Sequence, residues 1–351
     1  MKVIQVVKRY GICGGMEEYA YRLSNELSKL GIDISVVCER KINDPLNTDF
    51  PIYELGETRK KPRWLSHLQF AQKVKEWVRD QGMSNTLIHS HERVDCHNIT
   101  TIHSTLFNFP RKIVLPSLRV FMNQRIERKE ILSPTVKAVV PVSEVISQQL
   151  NAKYPSCSRN LKPPISPGVS DLKIKDKSFA PEEPVIGFIG KEWDRKGLPK
   201  VIRIWRRLLK VFPNTRLCLA GFPKEELIPL KDSERKYVDV LGYIKKKEEF
   251  YERIDLLLHP AKKEAYGMVI AEAMSLRIPV LCSSQCGASN DVQNDQGRVL
   301  DYNTPDSIWV ESLIHILKAK SPEVHFQRSW RAVSLQYIKL YKELESFSKC
   351  E

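Results

Sequence analysis

From Leu256 to Cys286 the chain carries two short apolar runs, Leu256 to Leu258 and Ile278 to Leu281, separated by about one helix-length, and no other stretch restricts the fold so much. Unbroken aliphatic runs of this size suit strands buried on both faces, and strands joined through a helix lie parallel. The stretch therefore reads as a βαβ unit. Glu264 and Glu272 bracket its loop-to-helix junction. A helix starting near Tyr266 or Gly267 leaves Glu264 in the loop, facing unpaired N–H groups that favour an anion. Acids beside an anion site fit a ligand whose phosphate is flanked by hydroxyls, and a nucleotide sugar is such a ligand. Taken singly, the two residues read equally well as a surface loop acid and a solvated helix acid.

The same alternation opens the chain. Lys2 to Val7 reads as a strand, a loop with Gly11, Gly14 and Gly15 follows, and Tyr19, Leu23, Leu27 and Leu30 then recur at helical spacing. Glycines let backbone approach a ligand, although the G-x-G-x-x-G spacing of dinucleotide folds is absent. Ile34 to Cys38 and Thr86 to His89 read as further strands, with a helix over Trp64 to Arg79 between them, as in a doubly wound sheet. Ile99 to Ile102 is a strand whose carboxyl end presents His103, and ligands of open α/β sheets bind at such ends. His103 is thus the catalytic candidate, with a structural histidine as the competing reading. The spacing of His89, His91, His97 and His103 argues against a metal site.

Pro163, Pro164, Pro167, Gly168, Pro181 and Pro184 mark a linker, which places a domain boundary near Pro167. Beyond it, the strand Val185 to Ile189 leads into a loop holding Arg195 and Lys196, where a second strand-loop-helix unit would hold phosphate. Leu217 to Ala220 and Val238 to Leu241 read as further strands.

A length of 351 residues with 42% hydrophobic content supports two cores. The net charge of +14 implies an anionic partner, which could be nucleic acid, an acidic membrane or a phosphorylated substrate. Neither a zinc-finger spacing nor an RNP-like motif supports nucleic acid. Between Leu106 and Leu132, cations including Arg111, Lys112, Arg119, Arg125, Arg128 and Lys129 alternate with apolar residues, and Leu115, Leu118, Met122 and Ile126 can share one helical face. That pattern suits an interfacial membrane contact or, equally, a core-facing helix with a solvated basic side. The opening MKVIQVVKRYGICGG has too short an apolar run for a signal peptide, and no later run reaches the roughly 18 apolar residues of a spanning helix. The expectation is a cytoplasmic protein, peripheral on the inner face of the membrane. Its cysteines read as reduced and structural.

Glu264-Ala-Tyr-Gly-Met-Val-Ile-Ala-Glu272 resembles the Glu-x7-Glu signature of retaining glycosyltransferase family 4. His259-Pro260-Ala261, Ile278-Pro279-Val280 and Gln285-Cys286-Gly287-Ala288 are similar to the lipopolysaccharide core glucosyltransferases in particular. The resemblance implies α/β GT-B architecture, with two facing Rossmann-like doubly wound domains over 1–167 and 168–325 and a C-terminal helix, 326–351, packing back on the first. It also implies roles. Glu264 contacts the transferred sugar, Glu272 the ribose, and Tyr266, Gly267, Met268 and Val269 complete that donor element. Gly14 and Gly15, in a loop resembling the family's GGxE element, face the diphosphate, which Arg195 and Lys196 of an RKG element clamp. Leu241 and Tyr243 fall where the base lies, and His103 falls near the family's catalytic His or Asp; the lipopolysaccharide enzymes resemble an Asp version, from which this chain departs. The implied activity is transfer of a hexose, glucose favoured, from a UDP-sugar to a lipopolysaccharide core or other anionic glycolipid. A GDP-mannose or other nucleotide-sugar transferase of O-antigen, capsule or exopolysaccharide synthesis is the alternative. No D-x-D pair occurs, so neither metal nor other cofactor is expected.

Overall fold

The computed structural model describes residues 1–82, 86–107, 117–175, 183–223, 230–319 and 326–348. The chain divides into two compact units, one formed by Met1–Gly168 with Arg328–Glu351 and the other by Val169–Gln327.

The first unit contains β1 (Lys2–Val6), β2 (Arg9–Gly11), α1 (Gly15–Lys29), β3 (Asp33–Cys38), β4 (Arg40–Asn43), β5 (Ile52–Glu54) and α2 (Arg63–Asp80). It continues with β6 (Thr86–Ser90), β7 (Ile99–Ile102), α3 (Leu118–Leu132), β8 (Ala138–Pro141) and α4 (Glu144–Lys153). Its main sheet has the order β5-β3-β1-β6-β7-β8 with every neighbouring pair parallel. Both faces are covered, because successive strand residues point to opposite sides: Val37 packs with Ile4, Val6, Phe70 and Val74, whereas Val36 packs with Val7, Tyr10 and Tyr21. The side chain of Ser143 caps α4 by accepting from the Ile146 amide at 3.3 Å.

The second unit contains β9 (Val185–Ile189), α5 (Leu198–Leu208), β10 (Arg216–Ala220), β11 (Val238–Gly242), α6 (Glu248–Tyr251), β12 (Leu256–His259), α7 (Met268–Ser275), β13 (Val280–Ser283), β14 (Gly297–Leu300) and α8 (Asp306–Lys318). Its sheet, β11-β10-β9-β12-β13-β14, is again parallel throughout. Trp205 and Trp309, both fully buried, join α5 and α8 to the sheet through Leu198, Ile202, Leu217 and Leu313. Burial contributes about 1.5–3 kcal/mol for each large aliphatic side chain removed from water.

Numbered within its own sheet, each unit has the strand order 3-2-1-4-5-6 of a doubly wound fold. Winding reverses between β1 and β6 in the first unit and between β9 and β12 in the second, and ligands bind at the carboxyl ends of the strands beside such a reversal.

The last helix, α9 (Trp330–Ser348), belongs to the first unit and packs on α1. Trp330 lies so close to Gly168 that a methyl group there would stand 2.8 Å from the indole, which accounts for glycine at that point of the chain. No helix among the described residues is long and apolar enough to cross a membrane.

One expectation is corrected. Leu118, Met122 and Ile126 do not form a common apolar face, because Leu118 is exposed while Ile126 is buried beside Glu127 and Glu130. The reason is polar: Glu127 binds Lys153 and accepts from Tyr154 at 2.8 Å, and Glu130 pairs with Arg93 at 3.6 Å, so two acids take inward positions. Arg111, Lys112 and Leu115 lie outside the described residues.

Candidate active site

In the second unit the loops after β9 and β12, the two strands at the reversal, bring the predicted groups together. Glu264 lies in the β12–α7 loop, with one carboxylate oxygen 3.3 Å from the Arg195 guanidinium and 3.6 Å from the Lys196 ammonium. The carboxylate is held from below. The Glu264 amide donates to Gln285 O at 3.1 Å, its carbonyl accepts from the Gly287 amide at 3.2 Å, and the Ala288 amide reaches Tyr266 O at 2.7 Å.

Glycines permit this crowding. Gly197, at φ +92°, passes so near Pro260 that a Cβ would stand 2.0 Å from its carbonyl oxygen, and Gly190 leaves room for the Lys196 stem. Gly267, at φ +95°, is the N-cap of α7, so the helix starts at Met268 with its amides directed to the same loop. Tyr266 is buried and donates its hydroxyl to Asp291 at 2.9 Å.

Glu272 is not a solvated acid. It is fully buried on α7, with the Lys247 ammonium 2.6 Å from one oxygen and the Tyr251 hydroxyl 2.7 Å from the other. The sequence reading missed both partners, which stand 25 and 21 residues away. Of the two positions assigned to the base, Leu241 is half-buried at the end of β11 and Tyr243 is exposed just beyond it. Burial pushes the Cys286 thiol up to about 12, so it stays protonated and serves packing.

In the first unit, Gly14 and Gly15 stand at the start of α1. The Glu17 carboxylate folds back over Gly14, where it also pairs with Arg9, and the space beside Gly15 is open. The first turn of α1 thus presents a carboxylate as well as amides, the Glu of the GGxE element.

His103 follows β7, and His91 follows β6. His91 Nδ1 and His103 Nε2 are 2.9 Å apart, and His91 Nε2 is 2.7 Å from the Gln5 side-chain oxygen Oε1. Burial holds the His103 ring down to about 3 and the His89 and His91 rings well below the usual imidazole range. All three are therefore neutral at physiological pH. Tyr19 packs edge-on against His103 with ring centres 4.7 Å apart.

Residues 170–330 match the family described as Glycosyl transferases group 1, and residues 13–168 match Glycosyltransferase Family 4, so the two together take in nearly the whole chain. D-inositol 3-phosphate glycosyltransferase of Corynebacterium urealyticum is 22% identical over 95% of this chain and 92% of its own length. Lipopolysaccharide glucosyltransferase WaaG of Escherichia coli is 33% identical over a segment covering 28% of each protein. In fold, the crystal structure of WaaG superposes with a TM-score of 0.77 at 16% identity, covering 98% of this chain and 99% of that one. Sucrose-phosphate synthase from Thermosynechococcus elongatus gives 0.70 at 16% identity over 99% and 100%. Two doubly wound units with these likenesses define a glycosyltransferase of the GT-B fold. The chain belongs to glycosyltransferase family 4, and within it resembles the lipopolysaccharide core glucosyltransferases.

Proposed function

We propose that this glycosyltransferase moves a hexose, glucose in the favoured reading, from a UDP-sugar to an anionic glycolipid of the lipopolysaccharide core type, with retention at the anomeric carbon. The observation that carries the reading is the convergence of Glu264, Arg195, Lys196 and the N-terminus of α7 at the strand reversal of the second unit. Arg195 and Lys196 hold the donor diphosphate and offset the charge that grows on it as the bond to the sugar breaks. The acceptor hydroxyl forms the new bond on the face that the diphosphate leaves, and its proton passes to the departing phosphate oxygen. Glu264 orients the sugar through its hydroxyls, Glu272 receives the ribose, and Gly14 and Gly15 are the first unit's donor-binding residues. His103 hydrogen-bonds a substrate hydroxyl at the reacting centre.

The acceptor class rests on a separate feature. Along α3, exposed Leu118 and Phe121 share a stripe with exposed Arg125 and Arg128, with Arg119 and Lys129 beside it, a surface suited to an anionic membrane face. The protein then works as a peripheral enzyme on the cytoplasmic face. The partial identity with WaaG supports the same acceptor class.

The test is thermal stabilisation by UDP-, GDP-, ADP- and CMP-sugars, since a ligand at a hundred times its dissociation constant adds about 2.7 kcal/mol. Selective stabilisation by a UDP-hexose, followed by its transfer to core-type glycolipid, is the expected result. Stabilisation by GDP-mannose instead would move the protein to the alternative donor class, and no response to any nucleotide sugar would remove the donor site.

A further inference from the structure

The first unit contains a continuous line of hydrogen bonds that begins at His103 and ends on a backbone carbonyl, and its ends dictate the direction of every proton along it. Tyr19 places its hydroxyl 3.1 Å from the carbonyl oxygen of Ile165, which can only accept. The single proton of Tyr19 is thereby committed, so Tyr19 must accept from Tyr337, 2.9 Å away. Tyr337 in turn accepts from Thr101 at 2.8 Å, and Thr101, its own proton spent, accepts from His89 Nε2 at 2.7 Å. A neutral imidazole that donates from Nε2 accepts at Nδ1, and there the Tyr341 hydroxyl lies at 2.7 Å. Tyr341 accepts from the Gln5 amide nitrogen at 3.1 Å, which directs the Gln5 oxygen to His91 Nε2. His91 donates from Nε2 and accepts at Nδ1, where His103 Nε2 stands at 2.9 Å.

We propose that this line fixes His103 as the Nε2–H tautomer, with Nδ1 as its accepting nitrogen, and that Gln5, His91 and Tyr341 are positioning residues for the transfer reaction. The inference rests on the reading of His103 as the residue beside the reacting sugar. It specifies what that residue can do: in its neutral form, His103 Nδ1 accepts a hydrogen bond from a substrate hydroxyl and has no proton to donate. The line also assigns α9 a task beyond packing, because two of its members, Tyr337 and Tyr341, come from that helix. The ionisable groups acting on these rings are other histidines, His97 included, together with Tyr19, Tyr337 and Tyr341.

The full chain, labelled with 15N in its histidine side chains, tests this directly, because long-range proton–nitrogen correlations separate the tautomers, and His103→Gln identifies the His103 signals. The expected result at pH 7.5 is a neutral Nε2–H ring at His103, His91 and His89. A Nδ1–H or charged His103 would overturn the proposal. Gln5→Glu is the functional arm. A carboxylate at that position accepts from both neighbours, favours a charged His91 that donates from Nδ1, and so forces His103 into the opposite tautomer. Turnover at pH 6.5 should then fall by about tenfold, with KM for the nucleotide sugar little changed, and recover as pH rises and His91 loses its proton. A folded Gln5→Glu protein with the parent tautomer and pH profile would sink the idea. If that variant does not fold, Tyr337→Phe removes one oxygen from the middle of the line, and both tautomers of His89 should appear; unchanged rings would refute the proposal. The nitrogen signals need no turnover, so an ordered line in a protein that transfers no sugar would count against the transferase reading alone.

Discussion

Glu264 faces two cations, and that contact determines how its removal should act. Its carboxylate stands within 3.6 Å of both Arg195 and Lys196, and so offsets charge that the donor diphosphate would otherwise meet. Glu264→Gln should therefore bind UDP at least as tightly as the parent by calorimetry while turnover falls at least about tenfold; a loss of UDP affinity equal to the loss of turnover would return Glu264 to a purely structural role. Lys196→Ala should do the reverse, weakening UDP and cutting turnover by about tenfold or more, and near-normal values in both would remove it from the mechanism. These residues were legible in the sequence because each lies in a compact motif at a strand-to-helix turn. Lys247 and Tyr251 were not, since their contact with Glu272 depends on α6 folding against α7, and nothing local to 247–251 announces a buried acid. The order of the histidine line was equally hidden, because His89, His91 and His103 acquire partners only when β1, β7 and α9 come together.

At the level of elements, continuous apolar runs announced most strands of both sheets, as parallel strands buried on two faces require. The two-stranded sheet of β2 and β4 escaped notice because Arg9–Gly11 and Arg40–Asn43 are short and rich in charge. Helix α3 was legible as a helix but not in its facing, since its inward acids are neutralised by Lys153 and Arg93 from elsewhere in the chain. The corrected facing selects the variant to make. Arg125 and Arg128 are exposed, whereas Lys129 pairs with Asp95 at 3.4 Å, so Arg125→Glu with Arg128→Glu perturbs the surface without breaking that pair. At about 1 kcal/mol per cation near anionic lipid, the double reversal should weaken binding to anionic liposomes at least tenfold and leave binding to neutral ones unchanged. Equal binding by parent and variant would give the stripe back to the fold. In the second unit, Gly197→Ala should destabilise by about 2–5 kcal/mol, because it combines a left-handed backbone with a methyl group forced against Pro260. Denaturant melts would detect it, and a shift below about 1 kcal/mol would mean that the β12–α7 loop yields more easily than its hydrogen bonds suggest.

For the whole molecule, ionisable burial is divided unequally between the units, and this sets how the protein should respond to acid. His67, His89, His91, His97 and His103 all belong to the first unit, and burial holds each below the ordinary imidazole value, with His67 and His103 at about 3 and His97 at about 4. A histidine depressed in the folded state contributes full stability above the unfolded value of about 6.5 and loses it as pH falls, because the unfolded chain takes up the proton first. Glu92 and Glu130 act in the opposite sense, since burial raises both to about 7 and the folded state binds their protons first between there and the unfolded value. Five histidines against two carboxylates leave three uncompensated protons, an upper limit of about 4 kcal/mol per pH unit between pH 6.5 and 4.5. Among its described residues the second unit has one such histidine, His259, which burial and then Lys196 and Arg195 hold down. Between pH 7.5 and 5.5, hydrogen exchange in β6 and β7 should therefore accelerate far more than in β9 and β12, and Glu130→Gln should change the slope of stability of the first unit by about one proton. Parallel acceleration in both sheets would mean that the buried histidines acquire protons without unfolding, and would cost the hydrogen-bond line the neutrality on which its direction depends.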